Sequence, residues 1–280
     1  MEMTRTEPFL KWAGGKRGLL DKILPHFPVL HPNGTYYEPF LGGGAVFFGL
    51  RPSRGILADS NQELIETFVA VRDEVGEIIS HLKDLPYDSK VYYEVRASIP
   101  TTKAERAARF IYLNKTCYNG LYRVNLKGEF NVPFGNHPSS IEICNEQQLR
   151  DASMTLKGAT LFNADFEETA ASATAGDLVY FDPPYTTAHT NNGFIEYNAK
   201  VFSWSDQRRL AQVAAELVDR GVQVAISNGD HSSVLECYLD TRRFKAIRIQ
   251  RWSTIASRAK KRMQTSELLL IGSPLGETKL

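Results

Sequence analysis

The run Leu178-Val179-Tyr180-Phe181 stops abruptly at Asp182-Pro183-Pro184-Tyr185. Four consecutive apolar residues offer no wet face, so a strand built from them needs cover on both sides. A parallel sheet lying between helices supplies that cover, and an antiparallel sheet with one solvated face does not. The prolines lack the N–H that a ladder requires, and they end the strand.

Other segments extend the same pattern. Residues 35–38 read as a strand, Gly42-Gly43-Gly44 as a turn, and residues 45–50 as a short helix. A second strand at residues 54–58 ends in Asp59, and residues 61–71 carry helical periodicity through Leu64, Ile65, Phe68 and Val69. Further along, Leu210, Val213, Ala214, Leu217 and Val218 follow one helical face, with Ser205 as the expected N-cap and Gly221 as the stop. The next strand is residues 222–226. This order predicts an α/β fold, a mostly parallel sheet with helices on both faces, in which ligands bind beyond the carboxyl ends of the strands. Both the glycine turn and the Asp182 tetrapeptide fall at such ends.

The pattern changes between residues 72 and 150. A helix at 103–113, opened by a Thr102/Glu105 capping box, gives way to aromatic and Asn/Gly-rich loops. We read 72–150 as an inserted, mainly helical domain, leaving a discontinuous core of residues 1–71 and 151–280.

With 42% hydrophobic and 23% charged residues, the chain of 280 can bury a sizeable core. The formal net charge of +1 hides a local excess. Residues 241–266 contain no acid but hold Arg242, Arg243, Lys245, Arg248, Arg251, Arg258, Lys260, Lys261 and Arg262. Such a stretch is either a solvated basic surface or a phosphate-contacting one. Cys117, Cys144 and Cys237 form no CxxC pair and the six histidines show no ligand spacing, so reduced thiols and no metal are expected. The charged residues 1–7 and the lack of a run of about 18 apolar residues predict no membrane span and a cytoplasmic location.

Two motifs carry chemistry. The glycine turn lets backbone approach a ligand, and Asp59 can accept hydrogen bonds from ribose hydroxyls. Phe47 stands where a dinucleotide fingerprint wants its third glycine, so a nucleoside cofactor without pyrophosphate fits better. In the tetrapeptide, Asp182 and the Pro183 carbonyl, held by Pro184, can accept from a substrate amine, and Tyr185 can stack on a base. An aryl amine is a poor nucleophile because its lone pair is conjugated with the ring; two acceptors draw it towards tetrahedral geometry. Residues 186–198, rich in Thr, Asn and Gly, read either as a lid that orders on substrate or as a plain surface loop.

Phe9-Leu10-Lys11-Trp12-Ala13-Gly14-Gly15-Lys16, Glu38-Pro39-Phe40-Leu41-Gly42-Gly43-Gly44, Leu57-Ala58-Asp59 and Asp182-Pro183-Pro184-Tyr185, in that order, closely resemble the Dam-type DNA adenine N6-methyltransferases of the D12 class, alpha group. Tyr118-Asn119-Gly120-Leu121-Tyr122-Arg123 and Gly128-Glu129-Phe130-Asn131-Val132-Pro133-Phe134-Gly135 resemble that family's target-recognition segments, and Ile226-Ser227-Asn228 a later core motif.

The resemblance implies a Rossmann-like methyltransferase core, with 72–150 as the target-recognition domain. It implies S-adenosylmethionine as methyl donor, bound by Trp12, Lys16, Asp59 and Asp182 around the Gly42 to Gly44 turn, with Asp165 and Phe166 near its adenine ring. It implies double-stranded DNA as partner and GATC as target, and a monomer in solution is expected. Tyr118 and Asn119 would then enter the duplex beside an extruded adenine, while Leu121, Arg123 and Pro133 read neighbouring bases. Position 122 is Tyr where relatives often carry a smaller residue, and residues 253–262 lack the glycine frequent in related basic hairpins.

Cytosine C5 chemistry is set aside. It needs a cysteine nucleophile, usually after proline, and here Thr116, Ile143 and Glu236 precede the cysteines. Cytosine N4 transfer, an RNA amine substrate and a catalytically silent DNA-binding protein remain as alternatives.

Overall fold

The computed structural model describes residues 6–136, 141–185, 202–239, 243–252 and 264–274. Among them are seven strands, β1 (Tyr36–Glu38), β2 (Gly55–Asp59), β3 (Ala159–Asn163), β4 (Leu178–Phe181), β5 (Gln223–Gly229), β6 (Phe244–Trp252) and β7 (Gln264–Gly272). They form one sheet in the order β3-β2-β1-β4-β5-β7-β6. Strand β1 pairs in parallel with β2 and β4, β4 pairs in parallel with β5, and β7 runs antiparallel between β5 and β6. This is the mostly parallel α/β arrangement that the continuous apolar strand predicts.

The chain divides into two compact units. One comprises Met1–Gly18, Gly42–Ser53 and Asp59–Asn163; the other comprises Leu19–Leu41, Arg54–Ala58 and Ala164–Leu280. Residues 72–150 fall wholly within the first.

In the second unit the alternation along β4 explains its sequence. Val179 and Phe181 join Val224, Ile226, Leu268 and Leu270 in a core closed by Leu210, Ala214 and Leu217 of a long helix. On the opposite face Tyr180 meets Phe27 at 5.2 Å between ring centroids and donates to Ser227 Oγ at 2.8 Å. Both faces are covered, so both must be apolar or internally hydrogen-bonded.

Ten α-helices occur among the described residues: α1 (Leu20–Ile23), α2 (Ala45–Leu50), α3 (Gln62–Asp73), α4 (Val75–Lys83), α5 (Ser89–Ala97), α6 (Lys103–Thr116), α7 (Glu146–Leu156), α8 (Phe166–Ala170), α9 (Trp204–Asp219) and α10 (Ser232–Leu239). The N-cap of α9 is Ser203, not the expected Ser205. Ser203 Oγ accepts from Asp206 N at 3.2 Å while Asp206 Oδ2 accepts from Ser203 N at 2.9 Å. Three residues beyond Ser205 stands Arg208, which cannot reciprocate in this way. The apolar stripe itself is buried as expected, and Gly221, at φ +86°, ends the helix in the left-handed region.

In the first unit α6 carries the expected Thr102/Glu105 capping box and packs against α3, α4 and α5. It runs to Thr116, three residues beyond the expected stop at 113, and its last seven residues are all buried. Phe9, Phe48 and Phe68 fill the space beside α2 and α3, Phe9 and Phe68 lying 4.9 Å apart.

Candidate active site

In the first unit the glycine turn is locked to the end of β2. Asp59 Oδ2 accepts from Gly42 N and Oδ1 from Asn61 N, each at 2.9 Å. Burial pushes the Asp59 carboxyl up from its ordinary value, and these two backbone N–H groups pull it partly back. Gly42 and Gly44 lie at φ +47° and +69°, conformations that side chains rarely adopt. At Gly42 there is a second reason for glycine: a Cβ there would sit 2.8 Å from Trp12 Cδ1. The turn therefore rests on the Trp12 indole. Lys16 is buried, with Nζ donating to Gly14 O at 2.9 Å.

Trp12 stacks with Tyr122 at 5.7 Å and Phe110 at 6.4 Å, and the Tyr122 hydroxyl donates to Glu63 Oε2 at 2.7 Å. An aromatic at position 122 thus joins the segment 118–123 to the residue under the glycine turn. Nothing in the spacing of the sequence signals that link.

In the second unit Asp182 follows β4 directly, half-buried, with Pro183 buried behind it. Tyr185 donates to Glu267 Oε2 at 2.8 Å. Burial, reinforced by the charges of Asp182 and Glu267, holds the Tyr185 phenol well above its ordinary value, so it stays a donor. At the end of the neighbouring β1, buried Glu38 accepts from Tyr36 at 2.8 Å. Phe40, Phe166, Phe181 and Phe202 pack together nearby, Phe40 and Phe166 stacked at 5.4 Å.

Asp165 is engaged on both oxygens. It caps α8 through Glu167 N, and Arg209 Nη1 and Nη2 reach its Oδ1 and Oδ2 at 2.8 and 2.9 Å. The same guanidinium lies 4.2 Å from the centre of the Phe166 ring. Asp165 therefore acts here as cap and anchor, and Phe166 is buried among Phe40, Phe181 and Phe202 with Arg209 over its ring.

The segments expected to recognise the target come together within the first unit. Tyr118 N donates to Pro133 O at 2.9 Å, and isolated bridges pair Cys117 with Phe134 and Val124 with Phe130. Tyr118 is 53% exposed although it is a large aromatic, and Asn119 and Pro133 are exposed beside it. Asn119 and Gly120 take consecutive left-handed conformations at φ 55° and 63°, which Asn and Gly tolerate best. Leu121 is half-buried. Arg123 is exposed and fixed, Nε donating to Asn131 Oδ1 at 2.7 Å and Nη2 to Asn131 O at 3.2 Å. A groove of about 920 Å³ opens beside this hairpin, lined by Arg96, Lys103, Arg109 and Asn131 among others; no residue expected to bind cofactor or to catalyse lines it.

The basic stretch is not uniformly cationic once folded. Arg243 pairs with Asp219, Arg248 with Asp230 and Arg251 with Glu267. The acids that pair with Arg243 and Arg248 are supplied by other elements. Arg242, Arg258, Lys260, Lys261 and Arg262, and the segment 186–198, lie outside the described residues. Among those described, no group of three His, Cys, Asp or Glu is placed to hold a metal ion, and no helix is long and apolar enough to cross a membrane.

A family model described as D12 class N6 adenine-specific DNA methyltransferase matches residues 12–255. The chain is 39% identical to "Type II methyltransferase M.MjaIII" of Methanocaldococcus jannaschii over 243 residues, covering 79% of this chain and 84% of that one. It is 34% identical to "Type II methyltransferase M1.LlaDCHI" of Lactococcus lactis subsp. cremoris, covering 94% of each chain. To "DNA adenine methylase" of Escherichia coli K12 it is 34% identical, covering 97% of each.

Proposed function

The chain belongs to the D12 class N6 adenine-specific DNA methyltransferases, and from that premise we propose that it moves the methyl group of S-adenosylmethionine to adenine N6 within GATC in double-stranded DNA. Adenine specificity of the family disfavours the cytosine N4, RNA and silent-binder alternatives. The observation that carries the proposal is that Asp182-Pro183-Pro184-Tyr185 directly follows a fully buried parallel strand, with half-buried Asp182 at the strand end.

The residues present suit a nucleoside sulfonium. Asp59 offers a carboxylate to ribose hydroxyls, half-buried Trp12 offers an aromatic surface, and the Gly42 to Gly44 backbone carries no side chain. Trp12, Lys16, Asp59 and Asp182 are the binding residues in this reading. The bound cofactor supplies an electrophilic methyl group. Asp182 and the Pro183 carbonyl accept the two N6 hydrogens, drawing the lone pair out of conjugation. The new C–N bond would form as the methyl–sulfur bond breaks, leaving a neutral thioether; the Asp182 carboxylate stabilises the positive charge that grows on N6, an effect of the kind worth about 10²–10⁴ in rate, and one N6 proton would then be lost to solvent. Tyr185 provides the ring on which the extruded base stacks.

Residues 72–150 serve as the target-recognition domain, with Tyr118 and Asn119 entering the stack and Leu121, Arg123 and Pro133 facing neighbouring bases. The protein works as a cytoplasmic monomer. Arg123 is assigned to the guanine, since a guanidinium matches the O6 and N7 acceptors in the major groove, and Leu121 to a thymine methyl. The hydrogen bonds to Asn131 hold Arg123 ready for that contact.

The test is methylation of GATC against AATC, CATC and TATC duplexes at one salt concentration. Arg123→Ala is expected to cost about 1–3 kcal/mol at GATC and to relax discrimination at the first base alone. Uniform loss with discrimination intact would reassign Arg123 to phosphate.

A further inference from the structure

Glu267 has no place in the chemistry described so far, yet it is buried, at 4% exposure, near the start of β7. Its register partners are Gly229 on β5 and Ile249 on β6. A buried carboxylate persists only where its lone pairs are met. Here Oε2 accepts from the Tyr185 hydroxyl at 2.8 Å, and Oε1 pairs with Arg251 Nη1 on β6. Gly229, at the end of β5, lies under the Tyr185 ring; a Cβ there would meet it at ordinary van der Waals distance, 3.8 Å.

We propose that Glu267 is a positioning residue for methyl transfer, fixing the Tyr185 ring through its hydroxyl so that the target base meets a preset stacking surface. The inference rests on the reading of Tyr185 given above. The two prolines before Tyr185 already restrict the backbone. What they leave open is the rotation of the Tyr185 side chain, and the hydrogen bond to Glu267 removes that freedom. The pairing with Arg251 aims Glu267, so the tetrapeptide is tied to the antiparallel edge of the sheet. The high pKa of the phenol keeps Tyr185 the donor in this pair. A purely structural role, an ion pair that only joins β6 to β7, would leave Tyr185 indifferent to Glu267.

The two roles separate in a double-mutant cycle on the full-length protein, using Glu267→Ala, Tyr185→Phe and their combination. The readouts are the single-turnover transfer rate at saturating S-adenosylmethionine and the fluorescence of 2-aminopurine placed at the target adenine. Each single variant is expected to slow transfer about tenfold and to alter the 2-aminopurine signal, with cofactor affinity unchanged. The double variant is expected to be no slower than the slower single, because both remove one interaction. Glu267→Gln keeps a carbonyl acceptor for the phenol and is expected to recover part of the rate. If Glu267→Ala does not fold, the same cycle is run with Glu267→Met, which keeps the length of the side chain and removes the acceptor. A folded Glu267→Ala or Glu267→Met variant with the wild-type rate, or losses that multiply in the double variant, would overturn the proposal. Wild-type transfer to the GATC duplex is the control: its absence would defeat the functional reading itself, whereas an active wild type with indifferent Glu267 variants defeats only this inference.

Discussion

Asp59 is asked both to brace the glycine turn and to bind a ribose; both tasks favour the carboxylate, and burial opposes it. Its carboxyl is held above the ordinary value chiefly by burial. A group whose folded pKa exceeds its unfolded one contributes stability that is fully present below the unfolded pKa and lost as pH rises through the folded one. At neutral pH the ionised Asp59 therefore works against folding while serving the ligand. Urea unfolding of wild type and Asp59→Asn across pH 4 to 7 tests this. The stability difference is expected to shift in favour of wild type as pH falls through the raised pKa, while wild-type affinity for S-adenosylmethionine falls. A pH-independent difference would mean that Asp59 is not ionised at a net cost to the fold. Asp59 and Asp182 stand out in the sequence because each follows an apolar strand. Glu267, Arg209 and Tyr122 do not, because their partners Tyr185, Asp165 and Glu63 lie 82, 44 and 59 positions away and no short-range pattern records the pairing.

At the scale of elements, local chemistry sets helix ends more sharply than apolar periodicity does. The stripe of α9 is legible from Leu210 to Val218, but periodicity does not locate its start, because two serines compete and only Ser203 has an acid three residues on. Ser203→Ala is expected to cost about 1 kcal/mol of unfolding free energy and Ser205→Ala close to nothing, measured by urea denaturation. Equal losses would return the cap to a shared role. Strands β6 and β7 are hidden in the sequence for a different reason. The charges of Arg243, Arg248 and Arg251 read as a basic patch there, whereas each is an ion-pair partner once the antiparallel ladder forms. The expectation of phosphate contact extends to Arg258, Lys260, Lys261 and Arg262, which lie outside the described residues. Neutralising these four together should weaken binding alike on target and non-target duplexes, flattening the salt dependence by about 0.9 in slope for each phosphate that the protein ceases to neutralise. An unchanged slope would assign them to solvated surface.

For the molecule as a whole, the sequence announces the parallel half of the sheet because buried parallel strands are apolar runs that end at an acidic residue, as β2 does at Asp59 and β4 at Asp182. It is less explicit about the helical packing of α4, α5 and α7, whose apolar faces are short, and about the hydrogen-bonded layer of Tyr36, Glu38, Tyr180 and Ser227, which is polar in sequence yet buried in the fold. In the proposed reading, catalysis and recognition rest on different signals: a tetrapeptide at a strand end for the first, and exposed Tyr118 with left-handed Asn119 for the second. The central claim is that this chain methylates N6 of adenine through Asp182. It is tested most directly by mapping modified bases in DNA from cells that lack adenine methylation of their own and express either wild type or Asp182→Ala. The account predicts N6-methyladenine at GATC with wild type and unmodified adenine with the variant; N4-methylcytosine, or adenine methylation that survives in Asp182→Ala, would contradict it.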